Sequence, residues 1–325
     1  MMPSIGLVAI GRNEGERLDK CLSSAIARCE QVVYVDSGSK DDSVLKARCA
    51  GIEVIELGSQ KPFTAARARN AGFERVCQLS GGLGYVQFLD GDCELNSAWL
   101  EVAFRFLEEH EDVAIVYGRR RERAPNLTIY NTLCDMEWDT SLGESKSCAG
   151  DFLVRIEAFR EVGGFREDVV AAEDTELCCR LRDAGWKVVR IAAEMSIHDA
   201  AMLHFRQWWT RSLRTGYAFG LGTYLHGKPP ERLFVRESHR ALLWGIGLPL
   251  LCLFVALWAS PWAWLVWLVY PLQIIRLASR NNGTMRQRML LGLFQLMARF
   301  PEALGLLKFM RDRILSRQAV IIEYK

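Results

Sequence analysis

The strongest constraint in this sequence is a run of 35 residues without a charged side chain, Ala241–Ile275. Ser260-Pro261 interrupts it. The part before the break is long enough to span a bilayer, whereas Trp262–Ile275 is shorter than the ~20 residues that a spanning helix needs. We predict an apolar helical hairpin over residues 241–275 that turns at Pro261. A buried hairpin in a soluble helical domain is the alternative, but five tryptophans in the run favour a membrane interface over a dry core.

Basic residues flank the apolar run on both sides. Four precede it and four follow it: Lys228, Arg232, Arg236, Arg240, Arg276, Arg280, Arg286 and Arg288. Because basic flanks stay on the cytoplasmic side, both ends should lie there, and the run crosses twice or re-enters. The segment Met289–Met310 is amphipathic and predicts a helix lying on the membrane surface. We therefore divide the chain into a folded domain, 1–225, and a membrane-associating helical region, 226–325.

The charge balance supports this division. Residues 1–240 carry 31 Lys/Arg against 36 Asp/Glu, whereas residues 241–325 carry ten against three. A basic, apolar C-terminal third indicates a membrane surface as partner, and we expect no nucleic acid. The ten cysteines include no C-x-x-C pair, which indicates reduced thiols and a cytoplasmic domain. The N-terminus predicts no signal peptide. We expect a membrane-associated protein of the bacterial inner membrane, with its folded domain in the cytoplasm.

The first half of the chain alternates between short apolar runs and amphipathic segments. Predicted strands are Ile5–Ile10, Gln31–Val35, Glu53–Leu57, Tyr85–Leu89 and Val113–Tyr117, with helices at Thr64–Gln78 and Ser97–Glu109. This rhythm predicts an α/β fold with a doubly wound, mostly parallel sheet. Ligands of such sheets bind beyond the carboxyl ends of the strands. Asn13, Asp36 and Asp90 each follow an apolar run, so we expect them at one binding edge.

Two carboxylates, Asp90 and Asp92, stand on either side of Gly91 at the end of the fourth strand. Like charges this close repel, so a positive partner is expected. A divalent cation held together with a diphosphate fits the pair. The alternative is an Asx-turn in which Asp92 caps the helix near Ser97. A phosphatase of the haloacid dehalogenase type is disfavoured, because it requires Thr where this chain has Glu94 and carries the motif on its first strand.

These motifs together resemble those of the inverting nucleotide-sugar glycosyltransferases of family 2, which have the GT-A fold. The matching segments cover about residues 4–200: VAIGRNEGERLDKCLSSA, VVYVDSGSKDDS, ARARNAG, VQFLDGDCEL, VGGFREDVVAAEDTELCCRLRDAGWKV and IH at 197–198. The resemblance is specific for the family but not for a substrate. It implies that residues 1–225 are the nucleotide-sugar glycosyltransferase domain.

The resemblance assigns a donor pocket. Asn13, Glu14 and Asp36 would line the nucleotide site, with Asp36 reaching the base. Arg69 would contact this pocket or the phosphates, and Asp90 would also contact the donor. Two alternatives remain open from the residues alone. Asp36 could cap the helix near Asp41, and Arg69 could be a solvated helix arginine.

The resemblance also assigns the metal and the catalytic base. Asp90 and Asp92 would form the motif for Mg²⁺ or Mn²⁺, with Asp92 as the direct ligand, and His198 would help to hold the metal or the diphosphate. Glu173 and Asp174 would supply the general base, with Asp174 taking the proton of the acceptor. Asp174 could instead cap its helix, and His198 could be a structural histidine.

Departures from the family pattern limit the reaction. Processive polysaccharide synthases carry Q-x-x-R-W near the membrane, whereas this chain has QWWTRS from Gln207 and one apolar hairpin. We therefore expect transfer of one sugar, from a UDP-sugar donor to a hydroxyl or phosphate acceptor, lipid-linked, in cell-surface glycan synthesis. Two alternatives are a catalytically silent scaffold that binds nucleotide sugars, and a sugar-nucleotide or phosphoryl transferase. The latter would need a Gly-rich, Lys-bearing loop that GRNEG does not provide.

Overall fold

The computed structural model describes residues 5–258 and 261–316. The chain forms two compact units. The first contains Met1–Leu127 and Glu137–Ala201, and the second contains Thr128–Met136 and Met202–Lys325. The long helix that begins at Phe205 therefore belongs to the second unit. The functional boundary at residue 225 stays a prediction.

The first unit is built on one mixed sheet. Its strands are β1 Ile5–Gly11, β2 Gln31–Asp36, β3 Glu53–Glu56, β4 Tyr85–Asp90, β5 Cys93–Leu95, β6 Val113–Glu122, β7 Gly143–Glu144, β8 Phe152–Arg155 and β9 Lys187–His198. The strand order is β3-β2-β1-β4-β8-β6-β9-β5, and β7 pairs with β9. Strands β1 to β4 pair in parallel, β8 runs antiparallel to both neighbours, and β9 is parallel to β6. The predicted α/β class is confirmed.

Helices cover this sheet. They are α1 Glu16–Ile26, α2 Ser43–Cys49, α3 Ala65–Leu79, α4 Trp99–Glu109, α6 Ile156–Glu161 and α7 Glu173–Asp183, while α5 Ile129–Glu137 lies almost wholly in the second unit. Strands β1, β2 and β4 are buried along nearly their whole length. That burial explains their continuous apolar runs, because a sheet covered on both faces leaves no side for polar alternation. Polar residues are thereby concentrated at the strand ends.

The second unit is helical. It contains α8 Phe205–His226, α9 Val235–Leu242, a π-helical segment Leu243–Gly247, α10 Leu248–Trp258, a 3-10 segment Pro261–Leu268, α11 Val269–Ala278, α12 Met285–Met297 and α13 Arg299–Ile314. Two stretches, Val235–Leu257 and Met285–Ile314, are long and apolar enough to cross a bilayer, whereas Trp264–Ala278 is shorter. The hairpin turn was predicted at Pro261, the first residue of the 3-10 segment. Residues 259 and 260, directly before it, lie outside the described residues.

Helices α8 and α13 pack with their backbones in contact. A Cβ atom added to Gly216 would lie 1.9 Å from the carbonyl oxygen of Glu302, and one added to Gly305 would lie 2.0 Å from that of Leu213. Only glycine permits this approach. In the apolar run 241–275, by contrast, large side chains are exposed: Leu250 is 62% exposed and Trp262 is 77% exposed.

Candidate active site

The loops after β1 and β2 form the first part of the site. Asn13 adopts a left-handed conformation with φ of 57°. Its amide donates to Ser39 Oγ at 2.9 Å, and its side-chain oxygen accepts from the amide of Lys40 at 2.7 Å. The Ser39 hydroxyl in turn donates to Asp36. Hydrogen bonds through Ser39 therefore link Asn13 and Asp36, two of the residues predicted to bind the nucleotide.

The carboxylate of Asp36 shapes the loop that follows β2. One oxygen accepts from the amides of Gly38 and Ser39 at 2.9 and 2.8 Å, and the other accepts from the Tyr34 hydroxyl at 3.1 Å. The next helix has Asp42 as its N-cap, so Asp36 does not cap it. Asp36 is 2% exposed and lies at the carboxyl end of its strand, as predicted.

Glu14 lies across the ends of β1 and β4. Its Cγ atom is only 3.1 Å from the position that a Cβ of Gly91 would occupy. Gly91 therefore allows the turn between the two aspartates to pass close beneath Glu14, and its amide donates to the carbonyl of Ile10 at 2.7 Å. The Glu14 carboxylate pairs with Arg17 at 2.9 Å.

A buried arginine, Arg69, holds the second part of the site together. One guanidinium nitrogen donates to Asp90 Oδ1 at 2.8 Å, and the other donates to Glu173 Oε1 at 2.6 Å. Burial disfavours its charge, but the two carboxylates outweigh this effect and raise the pKa of Arg69. Arg69 is not a solvated helix residue; it joins the end of β4 to the start of α7.

Asp90 has a second cationic neighbour that the sequence analysis did not single out. Arg120, on β6, lies 3.7 Å from Asp90 Oδ2 and 3.1 Å from Asp151 Oδ2. Burial opposes the ionisation of Asp90, yet Arg69 and Arg120 outweigh it and lower its pKa to about 2. Asp90 is therefore ionised and paired with arginines.

Asp151 is fully buried and connects three strands. Its Oδ1 accepts from the amide of Asp90 at 3.0 Å, and its Oδ2 accepts from the Ser196 hydroxyl at 2.7 Å as well as contacting Arg120. This carboxylate positions the backbone of the D-G-D motif. The AGD stretch at 149–151 and the three consecutive arginines at 119–121 contain this pair, but neither stretch by itself indicates that the two side chains meet.

Asp92 contacts His198 on β9. The distance between Asp92 Oδ2 and His198 Nε2 is 3.1 Å, and both side chains are buried. Burial, followed by the charge of Arg120, lowers the pKa of His198 to about 4, so the ring is neutral near pH 7. Its Nδ1 atom is buried and makes no hydrogen bond within the described residues.

This donor set fits a divalent cation. Asp92, Cys93 and His198 offer ligand atoms that lie within 4.8 Å of one another. A carboxylate oxygen suits both Mg²⁺ and Mn²⁺, and a neutral imidazole nitrogen is a common ligand of divalent transition metals. The helix cap proposed as an alternative for Asp92 is not formed, because Ala98 is the N-cap of α4.

Trp138 covers part of this centre. Its ring centroid lies 4.8 Å from that of His198, and the guanidinium carbon of Arg120 lies 5.7 Å from the same ring. The following residue, Asp139, pairs with Arg190 at 2.8 Å and with Arg119 at 3.5 Å. These ion pairs fix the loop that carries the tryptophan.

Glu173 and Asp174 are the first two residues of α7, but their side chains have different partners. Glu173 is paired with Arg69, whereas Asp174 Oδ1 accepts from the amide of Thr175 at 2.7 Å. The N-cap of the helix is Ala172, in a left-handed conformation and without a side-chain hydrogen bond. Asp174 is therefore not the cap.

Asp174 has the protonation behaviour of a general base. Burial, followed by the negative charge of Glu173, raises its pKa to about 6. A base is most effective when its pKa lies near the working pH, because it is then ionised and still basic enough to take a proton. The site therefore combines three features. Asp90 and Glu173 are ion-paired with Arg69, Asp92 and His198 can bind a metal, and Asp174 is a candidate base.

Two family models match the sequence. The family described as "Glycosyl transferase family 2" matches residues 8–163, and "Glycosyl transferase family group 2" matches residues 86–277, more than half of the chain. Among curated relatives, the glycosyltransferase AglE of Haloferax volcanii is 26% identical over 75% of this chain and 80% of its own. The pre-mycofactocin glycosyltransferase of Mycobacterium tuberculosis is 28% identical over 62% of this chain and 43% of its own.

Solved structures show the same fold. A mannosyltransferase of Pyrobaculum calidifontis, PcManGT, determined with GDP-Man and Mn²⁺, has a TM-score of 0.63 and 17% identity and covers 94% of this chain and 88% of its own. TarS 1-349 of S. aureus has a TM-score of 0.51 and 13% identity and covers 97% and 92%. These likenesses confirm the predicted GT-A type of α/β fold.

Proposed function

The chain belongs to the family 2 glycosyltransferases, and we propose that it transfers one sugar from a nucleoside diphosphate sugar to a hydroxyl or phosphate acceptor, with inversion at the anomeric carbon. The observation that carries this proposal is the arrangement of Asp174 beside the Arg69 bridge to Asp90. A carboxylate with a pKa of about 6 stands next to an ion-paired carboxylate at the carboxyl end of the central strands.

In the proposed reaction, Asp174 accepts the proton of the acceptor oxygen as that oxygen bonds to the anomeric carbon. The bond between this carbon and the β-phosphate oxygen breaks, and the nucleoside diphosphate leaves with the bonding electrons. Attack from the face opposite the leaving group inverts the centre. Asn13, Glu14 and Asp36 bind and orient the nucleotide, while Asp90 and Arg69 fix the geometry around the transferred sugar.

Asp92 and His198 would hold Mg²⁺ or Mn²⁺, which supplies positive charge to the leaving diphosphate. We take a UDP-sugar as the donor, as the family resemblance implies. The GDP-Man bound to PcManGT makes a GDP-sugar the competing choice. A silent scaffold is disfavoured because it has no need of a carboxylate with a raised pKa beside the donor site.

We further propose that the acceptor is lipid-linked and that the second unit attaches to the membrane. The support is the exposed apolar surface of α10, where Leu250, Leu253 and Phe254 are 62%, 44% and 61% exposed. Apolar exposure of this extent marks a protein or membrane contact. Full activity on water-soluble acceptors after removal of residues 241–325, without any response to lipid, would overturn this part.

The decisive experiment is calorimetric titration of UDP and GDP into the detergent-solubilised full chain, with Mn²⁺ and with EDTA. Asp92→Ala provides the site variant, and Asp168→Ala, on an exposed loop, provides the matched control. We expect one nucleotide to bind only with Mn²⁺, and this binding to be lost in Asp92→Ala alone. Absence of binding by either nucleotide to the folded protein would refute the donor site.

A further inference from the structure

Four arginines surround the turn between α11 and α12. Arg276 stands in the last turn of α11, Arg280 lies two residues past its end, and Arg286 and Arg288 stand in the first turn of α12. We call these four residues the arginine turn. Three are exposed and Arg288 is half-buried. They therefore concentrate positive charge at one end of a helix pair.

Helices α11 and α12 pack closely together at the end that carries the arginine turn. A Cβ atom on Gly292 would lie 2.9 Å from the carbonyl oxygen of Ile274, so the two helices pack tightly. The side chain of Asn281 donates to Gln295 at 3.3 Å, and Arg288 Nε donates to the carbonyl of Ala278 at 2.9 Å. The arginines are thus held together by the packed hairpin rather than by a flexible linker.

Acidic residues do not balance this charge. The sequence has no Asp or Glu between Glu237 and Glu302. Glu302 and Asp312 are 6% and 5% exposed and are paired with Arg299 and Lys308. Among the residues that the structure describes, no ion pair joins the arginine turn to a carboxylate. A cluster of like charges without an internal partner implies an external anion.

Exposed apolar side chains lead up to the arginine turn along both helices. On α11, Leu272 and Ile275 are 64% and 57% exposed, and on α12, Met289 and Leu293 are each 38% exposed. The order from apolar to cationic is that of helices whose arginines extend to the headgroup level of a bilayer. Soluble anions would explain the charge but not the adjoining apolar surface.

We propose that the arginine turn binds the phosphate headgroups of anionic phospholipids. The proposal rests on the membrane attachment proposed above and adds a preference among lipids to it. Guanidinium groups pair with phosphate oxygens through two parallel hydrogen bonds. Each arginine near an anionic lipid surface strengthens binding about fivefold.

The test titrates short-chain phosphatidylglycerol, short-chain phosphatidylcholine and inorganic phosphate into the full chain in a neutral detergent, below the micelle concentration of each lipid. We expect binding of phosphatidylglycerol, much weaker binding of phosphatidylcholine, and none of inorganic phosphate. The double variant Arg276→Gln/Arg280→Gln should bind phosphatidylglycerol about 25-fold more weakly, a factor of about five for each arginine.

The matched control is Arg48→Gln/Arg105→Gln, which removes two exposed arginines from the first unit. It should leave lipid binding unchanged. Equal binding of both lipids, or equal loss in both double variants, would overturn the proposal. Binding of inorganic phosphate alone would assign the turn to a soluble anion and would also overturn it.

Nucleotide titration of the same samples separates this proposal from the proposed function. Metal-dependent nucleotide binding without lipid preference would reject the arginine turn and leave the glycosyltransferase site intact. Lipid preference without nucleotide binding would do the reverse. Circular dichroism of each variant confirms that the chain is folded before either result is read.

Discussion

The two compact units treat charged and apolar side chains in opposite ways. In the first unit, Arg69, Arg120 and Asp151 are less than 9% exposed and are paired with one another or with Asp90 and Glu173. In the second unit, large apolar side chains such as Leu250 and Trp262 are mostly exposed. Buried ion pairs rarely add net stability, and exposed apolar surface adds none in water. The buried charges of the first unit and the exposed apolar side chains of the second are therefore features that stability alone does not explain.

The largest expected effect concerns the charges of the first unit. Replacing the proposed base, Asp174→Asn, should lower the transfer rate by about 10²–10⁴-fold, because general base catalysis typically contributes that much. Nucleotide binding, measured by calorimetry, should persist. Asp168→Asn, in the exposed loop that precedes α7, is the control and should transfer at the normal rate. A fully active Asp174→Asn would remove the base assignment.

Removing Arg69 tests how much the buried ion pairs contribute to the free energy of unfolding. Arg69→Met leaves Asp90 and Glu173 without their shared partner, and we expect the free energy of unfolding to fall by about 3–5 kcal/mol. Arg105→Met removes an exposed pair with Glu101 and should cost less than about 1 kcal/mol. Denaturant unfolding of both variants in detergent provides the measurement. Equal costs would mean that burial of the first pair has no energetic consequence.

The stability of the second unit should be sensitive to substitutions where the backbones of two helices are in contact. Gly216→Ala places a methyl group against the carbonyl oxygen of Glu302 and forces α8 and α13 apart, so we expect a loss of at least about 1–3 kcal/mol. Gly247→Ala is the control, because its nearest neighbouring atom is 3.6 Å from the added Cβ. It should stabilise the helix by about 0.5–1 kcal/mol. Thermal unfolding of both variants decides whether this close approach is required.

The pH dependence of transfer reports the environment of Asp174. Its pKa is raised to about 6 by burial and by Glu173, so the base is protonated and inactive below that pH. The rate should therefore fall as the pH drops through about 6. In Glu173→Gln the neighbouring negative charge is lost, the pKa of Asp174 falls, and the acid limb should move to lower pH. An unmoved limb in this variant would show that another group controls it.

The smallest expected effect lies on the outer surface of α10. Leu250→Ala should change the free energy of unfolding in detergent by no more than about 0.5 kcal/mol, because the side chain packs against little of the protein. Its binding to vesicles should weaken. A stability loss of about 2–5 kcal/mol, as at a packed core leucine, would indicate the buried soluble hairpin considered in the sequence analysis.

The predictable part of the molecule is the part encoded locally. Strands β1 to β4 were located from continuous apolar runs, and Asn13, Asp36 and Asp90 follow from the rule that parallel strands end at one edge. Arg120 and Asp151 were missed because their roles depend on β8 pairing antiparallel with β4 and β6. That pairing joins segments separated by tens of residues, and nothing in either segment alone specifies it.

The position of β9 has a consequence for the order in which the protein is made. Among the residues that the structure describes, β9 is the last strand, yet it lies inside the sheet between β6 and β5 and carries both Ser196 and His198. The first unit can therefore complete its sheet only after residue 198 has been synthesised. The apolar run starts at Ala241, so at about 5–20 residues per second the ribosome reaches it only a few seconds later. The strand that completes the sheet is therefore synthesised only shortly before the apolar run begins.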